Sequence, residues 1–514
     1  MKRAFALLRS LLLLLSLACG CRRQEETVLR YDLPLLPRSL DPQFADPDDT
    51  AAQLLLTNLF TGLTRLSPEG SVIPGCAERW EVSADGLTYT FTLRGGLQWA
   101  DGSALTADDF VFGISRLFEV PHIPPCAGFY TAIENADAVM KGEKPLSALG
   151  VGAAGDDTVI LTLERPAAEI LTLLARPAAA PCSRAFFAEQ KGRYGLDREA
   201  LLTNGAFLLR AWSESGVSLR RSETYFSPAA IDGVDFAVND DPAARYLADE
   251  TDACLFDGPA AKENGLTGIS VRDRTWSLLL NPARPAGGDE NLRRALLAAI
   301  EAETLSDRPG DAAEPAAGLI APSHTVLGAP YREAVGPVRA PALPADARQT
   351  MLDAFAALQT ERFPKATLLI CDDAVSGRIG GALLQNWSDT LSAYVNLEAV
   401  PYQTLLSRVR NGQFDLALSP LPTESGDDSA GLRLFSALLG ANDAYGIGAR
   451  LAEVSRGEGD AAQALFAAEQ AIVDAHLALP VCDTPSVFVC REGISGVWCE
   501  PSTRIVSFAD AAAD

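Results

Sequence analysis

The chain has 514 residues, 48% of them apolar and 21% charged, which is core material for two to four domains of roughly 100–200 residues each. That balance excludes a disordered chain and a polytopic membrane protein. Its 67 acidic against 43 basic residues leave a formal charge of −24, a surface that repels phosphate backbones and makes nucleic acid a poor partner. The three histidines, His122, His324 and His476, lie too far apart for a zinc or catalytic centre built on locally paired histidines.

The first residues, MKRAFALLRSLLLLLSLACGC, pass from a basic start through an apolar run to small residues. This is the pattern of a secretory signal over residues 1–18, too short and wrongly flanked for a spanning helix. Its end, Leu17-Ala18-Cys19-Gly20-Cys21, resembles a bacterial lipobox, in which a cysteine after small residues is acylated. Cys19 is the favoured site and Cys21 the alternative; the plainer reading is a cleaved signal with incidental cysteines. Residues 19–30 would form a lipidated tether holding the protein on the extracytoplasmic side of a bacterial membrane. The other eight cysteines, Cys76, Cys126, Cys182, Cys254, Cys371, Cys482, Cys490 and Cys499, contain no CxxC pair, so neither metal nor cofactor is expected. An exported protein can form disulfides, and Cys490 with Cys499, flanking a glycine-containing segment, is the best local pair. Burial of several as small apolar residues is the alternative.

Residues 31–115 alternate apolar runs with turn signals. Ser83-Ala84-Asp85-Gly86 reads as a turn, and Leu87-Thr88-Tyr89-Thr90-Phe91-Thr92-Leu93 alternates with period two, as a half-buried strand does. Thr106-Ala107-Asp108-Asp109 before Phe110 reads as a helix start, with Thr106 as cap and the acids at the positive end of the helix. Further helical patterns run from Glu290 to about Glu303 and from Ala461 to His476, and Pro- and Gly-rich stretches at 308–346 and 421–431 read as loops. Helices and strands are mixed throughout and no repeat is visible, which points to α/β lobes.

One stretch is far more specific. Asn58-Leu59-Phe60-Thr61-Gly62-Leu63 leads through Ala77-Glu78-Arg79-Trp80, Asp85-Gly86-Leu87-Thr88-Tyr89-Thr90-Phe91 and Trp99-Ala100-Asp101-Gly102 to Thr106-Ala107-Asp108-Asp109-Phe110. Its order and spacing resemble the N-terminal signature of the oligopeptide/dipeptide-type solute-binding proteins of ABC importers, the family-5 extracytoplasmic class. Thr203-Asn204-Gly205-Ala206-Phe207, Leu280-Asn281 with Leu292-Arg293, Gly318-Leu319-Ile320 and Glu469-Gln470 continue it in order. Most of these residues also have structural readings: Trp80 and Trp99 as packing aromatics, the Asp-Gly and Asn-Gly pairs as turns.

The resemblance implies an α/β, two-lobed periplasmic-binding-protein-like fold with an enlarged first lobe and two hinge crossover strands. The larger lobe would comprise residues 31–271 and 479–514, and the smaller 272–478. It implies capture of oligopeptides or dipeptides between closing lobes for delivery to a permease and ATPase complex by a monomer with no enzymatic activity. Family peptide contacts on a strand before the first signature helix fall near Asp48, Asp49 and Thr50. The carboxylate that holds the peptide ammonium falls at Glu424, in Leu421-Pro422-Thr423-Glu424-Ser425-Gly426-Asp427-Asp428, with Asp427 beside it. The competing reading makes those acids a solvated loop. Other readings are a non-peptide solute in the same fold, a peptide sensor and, remotely, a secreted hydrolase, for which no GxSxG, HExxH or papain-like motif is present.

Overall fold

The computed structural model describes residues 26–513 except 48, 69, 168, 302–312, 327–328, 422–429, 457–459 and 502. The leader, with Cys19 and Cys21, lies outside the described residues. Two large hydrophobic cores, with two small satellite clusters in the larger lobe, organise the rest. One gathers buried residues from Leu29 to Val271 and again from Phe488 to Ala511; the other runs from Trp276 to Cys482. The chain therefore crosses from the larger lobe to the smaller once and returns once.

Among the described residues the larger lobe holds three sheets of three or four strands, with short two-stranded pairs beside them. In the first, Val28–Leu33 pairs in parallel with Gly233–Val238, followed by Gly216–Arg221 and Phe207–Ser213. The second is antiparallel, with Thr88–Leu93 between Ala77–Val82 and Thr158–Thr162. The period-two reading holds there: Tyr89, Phe91 and Leu93 are buried, and the threonines between them are partly exposed. Gly86 has φ +72°, which supplies the left-handed position that the turn before this strand needs. The helix read at Thr106 spans Ala107–Arg116, and Asp109 accepts hydrogen bonds from the Thr106 N–H at 2.9 Å and Trp99 Nε1 at 3.2 Å. In the third sheet Ser486–Cys490 lies between Ala253–Asp257 and Ile269–Val271.

The smaller lobe is built on one six-stranded sheet, ordered Glu314–Pro315, Ala478–Asp483, Thr275–Leu280, Leu416–Pro420, Thr367–Cys371 and Asn396–Val400. Helices Ala374–Leu391 and Tyr402–Arg410 carry the parallel connections among its last three strands. Strand Ala478–Asp483 stays hydrogen-bonded to Thr275–Leu279 along its length, so a division at 478/479 falls inside it, and the second crossover follows Asp483. The helix read from Glu290 ends at Ala298, and that from Ala461 ends at Asp474. The stretch read as loop at 308–346 contains the short helix Tyr331–Val335.

Part of the acidic surplus has a structural use. Asp49, Asp241, Asp289, Asp346, Asp373 and Asp460 each cap a helix by accepting a backbone N–H, a bond worth about 1 kcal/mol. The eight cysteines past the leader are free, seven of them buried. The Cys490–Cys499 pairing is thus not made; both lie in strands of the larger lobe, where they pack as small apolar residues.

Candidate functional site

The two crossovers run side by side. Residues 272–274 carry the chain into the smaller lobe, 484–485 carry it back, and the Thr484 N–H donates to the Arg274 carbonyl at 3.3 Å. One side chain from the C-terminal arm ties the first crossover to the residue that follows the second. Arg504 donates to both carboxylate oxygens of Asp273, with Nη2 2.9 Å from Oδ1, and to Ser486 Oγ at 3.0 Å. Burial works against the Arg504 charge, but Asp273 outweighs it and holds the guanidinium pKa above its ordinary value. On the other side Trp276 Nε1 donates to Thr484 Oγ1 at 2.9 Å, and the Arg274 guanidinium lies 4.4 Å from the Tyr402 ring centre. Asp483, last residue before the return crossover, accepts the Thr275 hydroxyl, and burial pushes its carboxyl up to about 6.

Beside these crossovers lies a small, partly open cavity. Leu319, Ile320, Ala321, Pro420, Leu421 and Leu432 form its apolar wall. Asp273, Thr275 and His324 complete the side nearest the crossovers. The strap Gly318–Ala321 is fixed from beneath by Glu469, fully buried on helix Ala461–Asp474. Glu469 Oε1 accepts the Leu319 N–H at 2.7 Å, the Ile320 N–H at 3.1 Å and Arg332 Nη2 at 2.6 Å, while Oε2 accepts the Tyr331 hydroxyl at 2.8 Å. A Cβ at Gly318 would collide with Glu469 Oε1 and Arg332 Nη2, so a larger residue would have to displace that ion pair. Gln470 continues the anchoring, accepting the Arg339 N–H and donating to the Arg339 carbonyl.

The other echoes of the signature are also structural clamps. Asn204 receives the Thr61 N–H at 3.2 Å and donates to the Thr61 carbonyl at 2.9 Å, pinning Phe60-Thr61-Gly62 to the strand that follows Gly205. Asn281 donates to the Phe414 carbonyl at 2.8 Å, and Arg293 reaches the Ala475 and Gly287 carbonyls. Both are buried inside the smaller lobe.

Of the residues expected to touch solute, Asp48 lies outside the described residues. Asp49 caps helix Thr50–Leu59 through the Ala52 N–H at 2.9 Å, with burial raising its carboxyl pKa, and Thr50 is the exposed first residue of that helix. They sit at a helix start and not on a strand; the preceding strand is Val28–Leu33. Glu424, Asp427 and Asp428 lie outside the described residues, between Leu421 and Gly431, which both line the cavity. Sequence reading missed Asp273 and Arg504, because 231 residues separate them and no local pattern links them. Among the described residues no group of His, Cys, Asp and Glu is placed to hold a metal, and no helix is long and apolar enough to cross a membrane.

Residues 71–443 match the model of the bacterial extracellular solute-binding proteins, family 5. A protein of Escherichia coli (strain K12) named as a probable deoxycholate-binding periplasmic protein is 31% identical over 408 residues, covering 76% of this chain and 75% of its own. A dipeptide-binding protein of Lactococcus lactis subsp. cremoris is 27% identical over 458 residues, 83% of this chain and 82% of its own. The fold is shared with a periplasmic oligopeptide-binding protein of Borrelia burgdorferi, with TM-score 0.76 and 22% identity over 95% of this chain and 100% of that one. A match across most of the chain, with the same two-lobed α/β fold, makes this protein a member of the bacterial extracellular solute-binding proteins, family 5.

Proposed function

We propose that this protein is the capture subunit of an ABC importer, binding short peptides between its lobes and delivering them as a monomer to a permease and ATPase complex, with no catalytic step of its own. The observation that carries the reading is the pair of adjacent crossovers, joined by the Thr484–Arg274 backbone bond and braced where Arg504 ties Asp273 to Ser486. Two separately packed lobes joined only by such connections close on a solute by rotation about them. The moving bodies are residues 31–271 with 484–513, and 272–483. The peptide assignment is supported by the dipeptide- and oligopeptide-binding relatives. The deoxycholate-binding relative, the more identical of the two relatives, favours a second reading in which the solute is an apolar carboxylic acid.

Mass spectrometry of small molecules released by denaturing the purified protein tests both readings. Peptides among them support the first, and a bile-acid-like compound replaces it with the second. Adding the identified solute should then compact the protein in small-angle scattering and raise its melting temperature, since solute binds the folded form; an unchanged scattering curve removes hinge closure. Anchoring through Cys19 or Cys21 rests on the lipobox-like end of the leader. Changing both to Ser should move the protein from membranes to the soluble fraction, and a double variant that stays with membranes rules out a lipid there.

A further inference from the structure

The first crossover begins on a residue that is held by one lobe and bonds the other. Arg272 follows Val271, the last residue of a strand in the larger lobe, and precedes Asp273, which Arg504 ties to that lobe. It is therefore fixed to the larger lobe on both sides. Its guanidinium nevertheless reaches the edge strand Glu314–Pro315 of the smaller lobe, with Nη2 2.6 Å from Glu314 Oε1. Its carbonyl accepts the Ser323 N–H, also of the smaller lobe, at 3.1 Å. Turning the lobes about Arg274 and Thr484 displaces Glu314 and Ser323 relative to Arg272, so both bonds resist it.

A second carboxylate stands beside the first. Glu314 lies opposite Asp483 on the adjacent strand, where like charges repel. Arg272 is near enough to favour the ionised form of Asp483. The other groups facing Asp483 belong to the smaller lobe and turn with it. Thr275 donates its hydroxyl to Asp483, Arg332 is neutralised by Glu469, and burial keeps the neighbouring Cys482 thiol protonated.

We propose that Arg272 is a latch that sets the resting angle between the lobes, and that the Glu314–Asp483 pair makes its hold depend on pH. The inference rests on the capture reading, which supplies the turning of the lobes about the crossovers. The Arg272–Glu314 pair is half exposed and by itself contributes little; the Ser323 bond and the second carboxylate add to its hold. Burial raises the Asp483 carboxyl from 3.8 to about 6. Above that pH two negative charges face Arg272 and the latch is tight. Below it Asp483 is neutral, one charge remains and the latch loosens. By the same linkage, turning the lobes so that Arg272 leaves raises the Asp483 pKa further.

The test is small-angle scattering at pH 7.5 and pH 5, extrapolated to zero protein concentration. At pH 7.5 Arg272→Gln and Glu314→Gln should change the curve in the same direction. The expected shift between lobe angles is about fivefold or more, the low end of coupling between two sites. Wild type should move the same way, by less, on acidification. Asp483→Asn should match acidified wild type at both pH values, and Arg272→Gln should show no pH response. Melting curves establish that each variant is folded, and either folded latch variant suffices. Variant curves that overlay wild type overturn the latch; a pH response that persists in Asp483→Asn overturns its pH dependence. Adding back the small molecules released by denaturing the protein separates the latch from capture. Compaction of wild type by that extract beside unmoved variants removes the latch and leaves capture by closure standing. Moved variants without compaction keep the latch and remove capture by closure, and neither effect removes both.

Discussion

Replacing Glu469 by Gln isolates the charge beneath the cavity strap. The amide oxygen can still accept the Leu319 and Ile320 N–H groups, now 2.7 and 3.1 Å from the carboxylate, so the backbone bonds survive. What disappears is the counter-charge of Arg332, whose side chain is 11% exposed and lies 2.6 Å from Glu469. Removing one partner of a buried pair costs about 3–5 kcal/mol. Arg332 also donates to the Gly336 and Ile320 carbonyls, which favours the low end, about 3 kcal/mol. Glu469→Ala should cost more, because two buried N–H groups then lose their acceptor at about 1–3 kcal/mol each. Urea unfolding followed through the smaller lobe should rank wild type above Gln above Ala. For a body of about 200 residues the Gln variant should melt roughly 6–12 °C lower. Solute affinity should fall in the same order, since the loosened strap is a cavity wall. A loss below about 1 kcal/mol for Gln, or equal losses for Gln and Ala, would show that the carboxylate charge does not hold the strap.

Two further perturbations report on other clamps. Asn204→Ala leaves the buried Thr61 N–H without its acceptor and the Thr61 carbonyl with only the weak Cys76 thiol donor, and should cost the larger lobe about 1–3 kcal/mol in chemical denaturation; a change under about 0.5 kcal/mol would make Asn204 a turn residue only. At Asp483 the folded pKa, about 6, exceeds the ordinary 3.8, so the folded form binds more protons and stability should fall as pH rises from about 4 to about 6. Asp483→Asn removes that dependence and should gain roughly 3 kcal/mol above pH 7, from about two pKa units at 1.36 kcal/mol each; a wild-type-to-variant gap that stays constant between pH 4.5 and 7.5 refutes it.

The parts legible in the sequence are those fixed by neighbours along the chain. Period-two alternation placed Tyr89, Phe91 and Leu93 inside, and the Thr106-to-Asp109 spacing marked the helix start because a capping residue must lie within reach of the first turn. Family signature residues such as Asn204, Gly318 and Glu469 were visible as pattern, but their roles were not. Asn204 acts on Thr61 and Glu469 on Leu319, across 143 and 150 residues. Asp49 has a role that counting along the family pattern did not anticipate: its carboxylate satisfies the Ala52 N–H one turn into its own helix. Strand Ala478–Asp483 belongs to the smaller sheet through its pairing with Thr275–Leu279, a long-range contact that no local pattern carries.

The charges at the crossovers follow a different rule from those on the surface. An exposed ion pair contributes little and moves freely, which would make a poor joint. Asp273 and Arg504 are mostly buried, with side-chain exposures of 11% and 16%, and Arg504 Nη2 also holds Ser486. Breaking that contact during closure would leave a buried carboxylate without its partner, at about 3–5 kcal/mol, so rotation of the lobes must carry the whole assembly of Asp273, Arg504 and Ser486 as one piece. Bending is then confined to the residues between it and the smaller sheet, Arg274 on one strand and Thr484 on the other. Those two are joined by a backbone hydrogen bond, and each meets the smaller lobe through a side chain, Arg274 over the Tyr402 ring and Thr484 at Trp276 Nε1. The cavity is lined on the same stretch by Asp273 and Thr275, so on the capture reading a solute there would lie against the residues at which the lobes turn.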